Sequence, residues 1–288
     1  MPRARCIAIG LNEVNHQSTS YVGVDIPTLK GCVNDANGIA ALIKGQANYD
    51  VPTVLANEKA TYQALLDQLN QAAADLQEGD FLLLHYSGHG MQGVVKDGQI
   101  DATSPANSAW ILYDKPLASD ELYHIWFKFR PHICVLVLSD SCHSGRAIRD
   151  RAITIGSTEI PRGIDENAAF QVISHNFDYF KQRETSLSTL TQTGAAPNAN
   201  VVLISGCQEA EVSLDGTDSA GTPHGLFSAA VLETMKAGFT DDYNSFYSTV
   251  RDKVGARTQK KQNPNYLWVG GNFFELGMFG RLKPPFKV

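Results

Sequence analysis

Two runs, FLLLHYS at 81–87 and ICVLVLS at 133–139, constrain the fold more than any other feature. A strand with one face in water alternates apolar and polar residues, whereas a strand covered on both faces reads as a near-continuous apolar run. Both runs are of the second kind, and further apolar stretches bounded by Gly, Asp or Asn recur at 4–10, 52–56, 109–113, 201–205 and 266–271. Segments with helical spacing lie between them at 33–44, 61–76, 120–129, 224–236 and 243–257, with Thr61 placed to cap the second. Strands alternating with helices need crossover connections, so the fold class is α/β, with a mainly parallel central sheet flanked by helices.

The regular rhythm breaks between about 146 and 199, a stretch poor in apolar runs and carrying Arg146, Arg149, Arg151, Arg162, Lys181 and Arg183. Only 167–183 within it has helical character. The economical organisation is one domain over 1–288: a larger portion at about 3–145, a linker at about 146–199 and a smaller portion at about 200–280. The net charge of −6, without a basic face, argues against nucleic acid as a partner. No apolar run approaches the length of a membrane span, and the apolar start is too short for a signal-peptide core, so the expected location is the cytoplasm, without membrane association. Five cysteines, Cys6, Cys32, Cys134, Cys142 and Cys207, are odd in number and lack any CxxC spacing, which fits neither a disulfide framework nor a structural zinc site.

Each of the two apolar strands ends in an unusual cluster, HYSGHG at 85–90 and SDSCHSG at 139–145. In parallel sheets, ligands bind outside the carboxyl ends of the strands, so His89 and Cys142 leave the sheet where chemistry is done. A thiol attacks an amide carbonyl as thiolate, and imidazole, with a pKa near neutrality, can shuttle the protons that attack and amine departure require. The glycines around both residues allow close backbone approach, and the amides of Gly90 and Cys142 are the candidate oxyanion donors. His143 is adjacent to the cysteine, but neighbouring residues on a turn point apart. The reading is a Cys–His dyad, Cys142 as nucleophile and His89 as acid–base partner.

With these residues in hand, the chain resembles the caspase-like cysteine peptidases of clan CD, family C14, and within them the metacaspase and orthocaspase branch. The resemblance is carried by KGCVNDA at 30–36, HYSGHG at 85–90, DSCHSG at 140–145, SGCQEAEVS at 205–213 and HGLFSAAVLE at 224–233. It implies the caspase-like (caspase-hemoglobinase) sandwich and the activity of a cysteine endopeptidase acting on protein or peptide substrates. The first strand begins almost at Met1, which leads us to expect no preceding prodomain. By the same resemblance, Cys32, Asp35, Ser87 and Asp140 line the pocket for the residue before the cut. Glu211 matches an additional acid of the paracaspases, with Asp215 or Glu209 as substitutes.

Asp140 lies two residues before Cys142, and i and i−2 share a face of a strand. Carboxylates converging on one pocket suit the five-donor fork of Arg, then Lys, whereas an Asp-binding pocket would need arginines, which these motifs lack. The expected specificity is therefore for Arg or Lys before the cut. The basic linker also suggests self-processing, with Arg149, Arg151, Arg162, Lys181 and Arg183 as candidate positions. Many metacaspases need calcium; here Ser119-Asp120-Glu121 and Arg149 depart from the family's acidic pattern. The expectation is chemistry without a cofactor, with Ca2+ as a candidate activator and Asp101, Asp114, Asp120 and Asp150 as the oxygens available to it. The family also implies a monomer. Two alternatives stand beside this reading: a non-catalytic caspase-like scaffold, and a Cys–His acyl transferase or peptide ligase.

Overall fold

The computed structural model describes residues 2–104, 108–142, 160–183, 196–208, 211–269 and 285–286. In chain order the strands are β1 Ala4–Gly10, β2 Thr53–Ala56, β3 Phe81–Ser87, β4 Gly90–Gln92, β5 Val94–Lys96, β6 Gln99–Asp101, β7 Ser108–Ile111, β8 Pro116–Ala118, β9 Cys134–Asp140, β10 Ile160–Pro161, β11 Asn200–Ser205, β12 Leu214–Thr217, β13 Pro223–Gly225 and β14 Asn265–Val269. The helices that matter here are α1 Cys32–Ile43, α2 Tyr62–Asp75, α3 Ser119–Trp126, α4 Glu166–His175, α5 Leu226–Lys236 and α6 Tyr243–Thr258.

A six-stranded sheet in the order β14-β11-β9-β3-β1-β2 forms the middle layer. Its strands are parallel except β14, which runs antiparallel along β11. The two runs singled out in the sequence, β3 and β9, are its central pair, and every residue of β3 is buried. Alternation across the pleat sends Leu82, Leu84, Val135 and Val137 into a core with Leu65, Leu69 and Ala72 of α2 and Trp126 of α3. Leu83, Leu136, Leu138 and Val202 face the opposite way, against Ile39 and Ile43 of α1, Phe227 and Val231 of α5, and Phe246 and Val250 of α6. The expected α/β sandwich, helices on both faces of a mainly parallel sheet, is what the chain forms.

Thr61 caps α2 as anticipated, its hydroxyl accepting from the Ala64 amide at 3.2 Å. Other expectations shift. The run at 109–113 belongs to a small antiparallel sheet, β4-β7-β8, rather than to the central one. The helix expected from 224 starts at Leu226, because His224 and Gly225 extend as β13 to pair with β12. The segment 167–183 is helical as Glu166–His175 and again up to 183, with a turn at Asn176. β10, β12 and β13 form a third, three-stranded sheet at the carboxyl edge of the central one.

Candidate active site

Ser87 and Asp140 are register partners at the ends of β3 and β9, so His89 and Cys142 leave neighbouring strands at the same level. Both are buried. The amides of Cys142 and Gly90, the two oxyanion candidates, converge on one atom: the carbonyl oxygen of Arg162, at 2.8 and 3.1 Å. Two short amide donors on one carbonyl is the geometry that stabilises a tetrahedral oxyanion.

The side chain of that same residue fills the acidic pocket. The Arg162 guanidinium is fully buried, with Nη2 at 2.8 Å from Asp35 and 2.8 Å from Asp215, and Nη1 at 3.1 Å from Asp140. Nη1 also donates to the Ser87 hydroxyl at 2.6 Å. Such charge-assisted bonds are stronger than neutral ones, and a buried cation demands them. The carboxylates are themselves held from behind. Asp35 accepts from His224 Nδ1 at 2.7 Å, from Ser87 Oγ at 2.7 Å and from the Gly225 amide. Asp140 accepts from Ser213 Oγ at 2.6 Å and from the Ser228 amide at 2.9 Å. Asp215 accepts from the amides of Lys30 and Gly31. A Cβ on Gly225 would overlap both the Asp140 carboxylate and the guanidinium, which is why glycine stands there.

Burial works against the charge on Asp35, but Arg162, His224 and Ser87 outweigh it and hold its pKa below the usual carboxylate value. For Asp140 burial prevails over the pull of Arg162, and its pKa is raised. Burial also opposes the charge of Arg162, but the surrounding acids more than offset it and its pKa rises well above normal. Cys32, packed beside this cluster, is pushed up to about 12 by burial. Burial lowers His89 to about 4, against the backbone of Pro27 and Gly163, which raise it. His89 Nε2 lies 2.6 Å from the Pro27 carbonyl, so this nitrogen carries the proton and Nδ1 keeps its lone pair. The Cys142 thiol donates to the Glu211 carbonyl at 3.1 Å and contacts the Cys207 thiol, whose pKa it raises together with burial.

The segment on either side of Arg162 crosses the site in extended form. Ile160 and Pro161 pair antiparallel with Asp215 and Leu214 of β12, and the Arg162 amide donates to the Ser213 carbonyl at 2.8 Å. Beyond it, Gly163 bridges to Gly90 and the Ile164 amide donates to the Gly90 carbonyl at 3.1 Å. Residues 160–164 therefore lie as a peptide lies in a protease cleft, added as a strand to the sheet edge.

Of the residues expected in the pocket, Cys32, Asp35, Ser87 and Asp140 gather here and Glu211 does not. Its carboxylate instead accepts from the Asn263 amide at 2.7 Å and from Asn263 Nδ2 at 2.6 Å. Asp215, named only as a substitute, is the third acid on the guanidinium. His224, Ser213, Gly225 and Ser228 escaped the sequence reading as site residues; HGLFS was noted, but only its fold brings it against Asp35 and Asp140. Lys181 and Arg183 lie in helical backbone, Arg183 over the Tyr179 ring and 4.0 Å from Asp120. Arg149, Arg151, Asp150, His143 and Glu209 fall outside the described residues. Asp101 accepts from Thr103, Asp114 accepts from the Tyr62 amide, and no group of three or more His, Cys, Asp or Glu suited to a metal occurs among the described residues. No helix among them is long and apolar enough to cross a membrane.

Residues 3–268 match the family model of the caspase domain, peptidase family C14, and the chain belongs to that family of peptidases. Curated relatives include metacaspases: it is 29% identical to metacaspase-1 of Mycosarcoma maydis over 81% of this chain and 65% of the relative. It is 25% identical to metacaspase-1B of Aspergillus fumigatus over 90% of this chain and 69% of the relative. The chain thus spans about two thirds of the length of these fungal proteins. Among solved structures, a protein of Geobacter sulfurreducens superposes with a TM-score of 0.77 at 28% identity, covering 100% of this chain and 99% of its own.

Proposed function

We propose that this chain is a cysteine endopeptidase that cleaves after Arg, and after Lys less well, and that its first substrate is its own Arg162–Gly163 bond. The observation that carries this reading is Arg162 itself: guanidinium on Asp35, Asp140 and Asp215, carbonyl oxygen on the amides of Gly90 and Cys142. Cys142 attacks the Arg162 carbonyl carbon after its thiol turns from the Glu211 carbonyl. His89, fixed by Pro27, uses Nδ1 to take the thiol proton and passes it to the Gly163 nitrogen as the C–N bond breaks. Water then hydrolyses the thioester. A bidentate, three-acid cage favours planar guanidinium over the point charge of lysine. Thiol, imidazole and two amides complete this chemistry without a cofactor; calcium, if used, would act as an activator.

The deciding experiment incubates purified wild-type and Cys142→Ala protein with matched Arg, Lys and Asp fluorogenic peptides, with EDTA and with calcium, and follows the chain by intact mass. Wild-type fragments ending at Arg162 and beginning at Gly163, an intact Cys142→Ala chain and hydrolysis of Arg above Lys are expected. Preference for Asp, or equal clipping of both proteins, would overturn the assignment.

A further inference from the structure

The two sides of the Arg162–Gly163 bond are held very differently. Upstream, Ile160 and Pro161 are only half-buried and form the edge strand β10, which pairs with β12. The pocket encloses one guanidinium completely, so Arg162 must leave before any other substrate can bind. Downstream, Ile164 is 1% exposed within an apolar cluster that includes Met91, Ile111, Val172 and Ile173. The next residue, Asp165, caps α4 by accepting from the Ala168 amide at 2.8 Å. That helix buries Ala168, Ala169, Val172 and Ile173, and its end is tied to the rest of the fold through Asn176 and the Ser20 hydroxyl. Cutting the bond breaks none of these downstream contacts.

Resting on the proposed cleavage, we infer that the new amino terminus of Gly163 stays beside Cys142 and accepts acyl groups from the Cys142 thioester, so that the cut enzyme joins Arg-ended peptides to itself. The leaving nitrogen of the first cut is the attacking nitrogen of this step, and a nucleophile kept within reach gains a large effective molarity over one in solution. An outside Arg peptide first acylates Cys142: the C–S bond forms, the C–N bond after its Arg breaks, the departing amine takes the thiol proton through His89, and the carbonyl oxygen sits on the Gly90 and Cys142 amides; a thioester probe releases its thiol instead. The Gly163 amine then attacks the thioester carbon. The C–N bond forms, the C–S bond breaks, sulfur leaves as thiolate, and the amine proton passes to His89 and back to sulfur. Water competes for the same thioester. Because only the neutral amine reacts and an α-amine titrates at about 7.7–8.0, joining gains on hydrolysis as pH rises towards that range.

The test treats the self-cleaved wild-type enzyme with an acetylated Ile-Pro-Arg thioester and reads the mass of the fragment 163–288, locating any adduct by fragmentation. The expected result is a fragment heavier by one acetyl-Ile-Pro-Arg acyl group, bound at Gly163, with the ratio of joined to hydrolysed product rising up to about tenfold per pH unit below the amine pKa. Cys142→Ala protein should give neither product. Consumption of the probe to free acid with 163–288 unmodified, or acylation at lysines alone, would overturn the inference while leaving the peptidase reading intact. Absence of both self-cleavage and probe consumption would overturn the peptidase reading, and this inference with it.

Discussion

Arg162 is at once a buried cation and the residue whose carbonyl takes the amides of Gly90 and Cys142, and its removal has a definite signature. Arg162→Ala leaves Asp35, Asp140 and Asp215 facing one another without their cation, a change of the kind that costs about 3–5 kcal/mol. Asp35, now held below the normal range chiefly by Arg162, rises, and Asp140, already raised by burial, rises further. The folded variant then binds protons more tightly than its unfolded chain. Its stability deficit relative to wild type should shrink as pH falls from about 8 to about 5. Thermal melts across that range check the sign, and arginine amide should raise the melting temperature of the variant but not of the uncut chain, whose pocket is filled. His89 gives a second pH prediction. Burial and the charge of Arg162 both lower its pKa, to about 4, and both effects weaken once Arg162 departs. The acid limb of self-cleavage should therefore lie at lower pH than the acid limb of kcat/KM for peptide hydrolysis, which reports the free cut enzyme; paired pH–rate profiles will show this.

At the scale of elements, the pocket depends on β12 and β13 being pinned to the end of the central sheet. Gln262, fully buried just past α6, does much of this: its Nε2 donates to the Gly206 carbonyl at 2.8 Å and to Ser213 Oγ at 3.2 Å, and its Oε1 accepts from the Leu214 amide at 3.2 Å. Gln262→Ala strands those groups, at a cost of about 1–3 kcal/mol for each one left unsatisfied. Because Ser213 holds Asp140 and its carbonyl takes the Arg162 amide, the variant should also lose hydrolysis of Arg peptides. Denaturant melts and KM against kcat separate the two effects; unchanged stability would show that the loop is held otherwise. The central elements were legible because apolar runs and 3.6-residue spacing reflect burial on a sheet or helix face. Of the small sheets only β7 was read, within 109–113: strands of two to four residues carry too little pattern, although Asp97-Gly98 between β5 and β6 was a readable hairpin signal, with φ of 50° and 75°.

For the whole molecule, the occupied cleft predicts that the proposed first turnover is intramolecular. The rate constant of wild-type self-cleavage should be independent of protein concentration over a wide range, and Cys142→Ala protein should be cut little by added wild-type enzyme. Its own Arg162 is fully buried in its own pocket and so withheld from a second copy. Time courses by intact mass at several dilutions decide this; a rate constant rising with concentration would mean cutting between molecules. The same enclosure predicts a lag before Arg peptides are turned over, ending as Arg162 leaves.

Much followed from local sequence alone. The parallel sheet, the strand ends bearing His89 and Cys142, and the placing of Asp140 beside Cys142 follow from apolar runs, glycine turns and i, i−2 spacing, which act over a few residues; Asp35 was expected in the pocket only through the family resemblance. Tertiary structure alone decided which acids meet. Asp215 is 75 residues after Asp140 and 180 after Asp35, and only the crossing of β12 over the sheet edge sets its carboxylate on the same guanidinium, while Glu211, nearer in motif, turns to Asn263. It also showed Arg162, one of the five candidate cleavage positions, seated in the site. Nothing local distinguishes Arg162 from its neighbours; pairing of Ile160 and Pro161 with β12 on one side, and anchoring of Ile164 and α4 on the other, set it at the required depth.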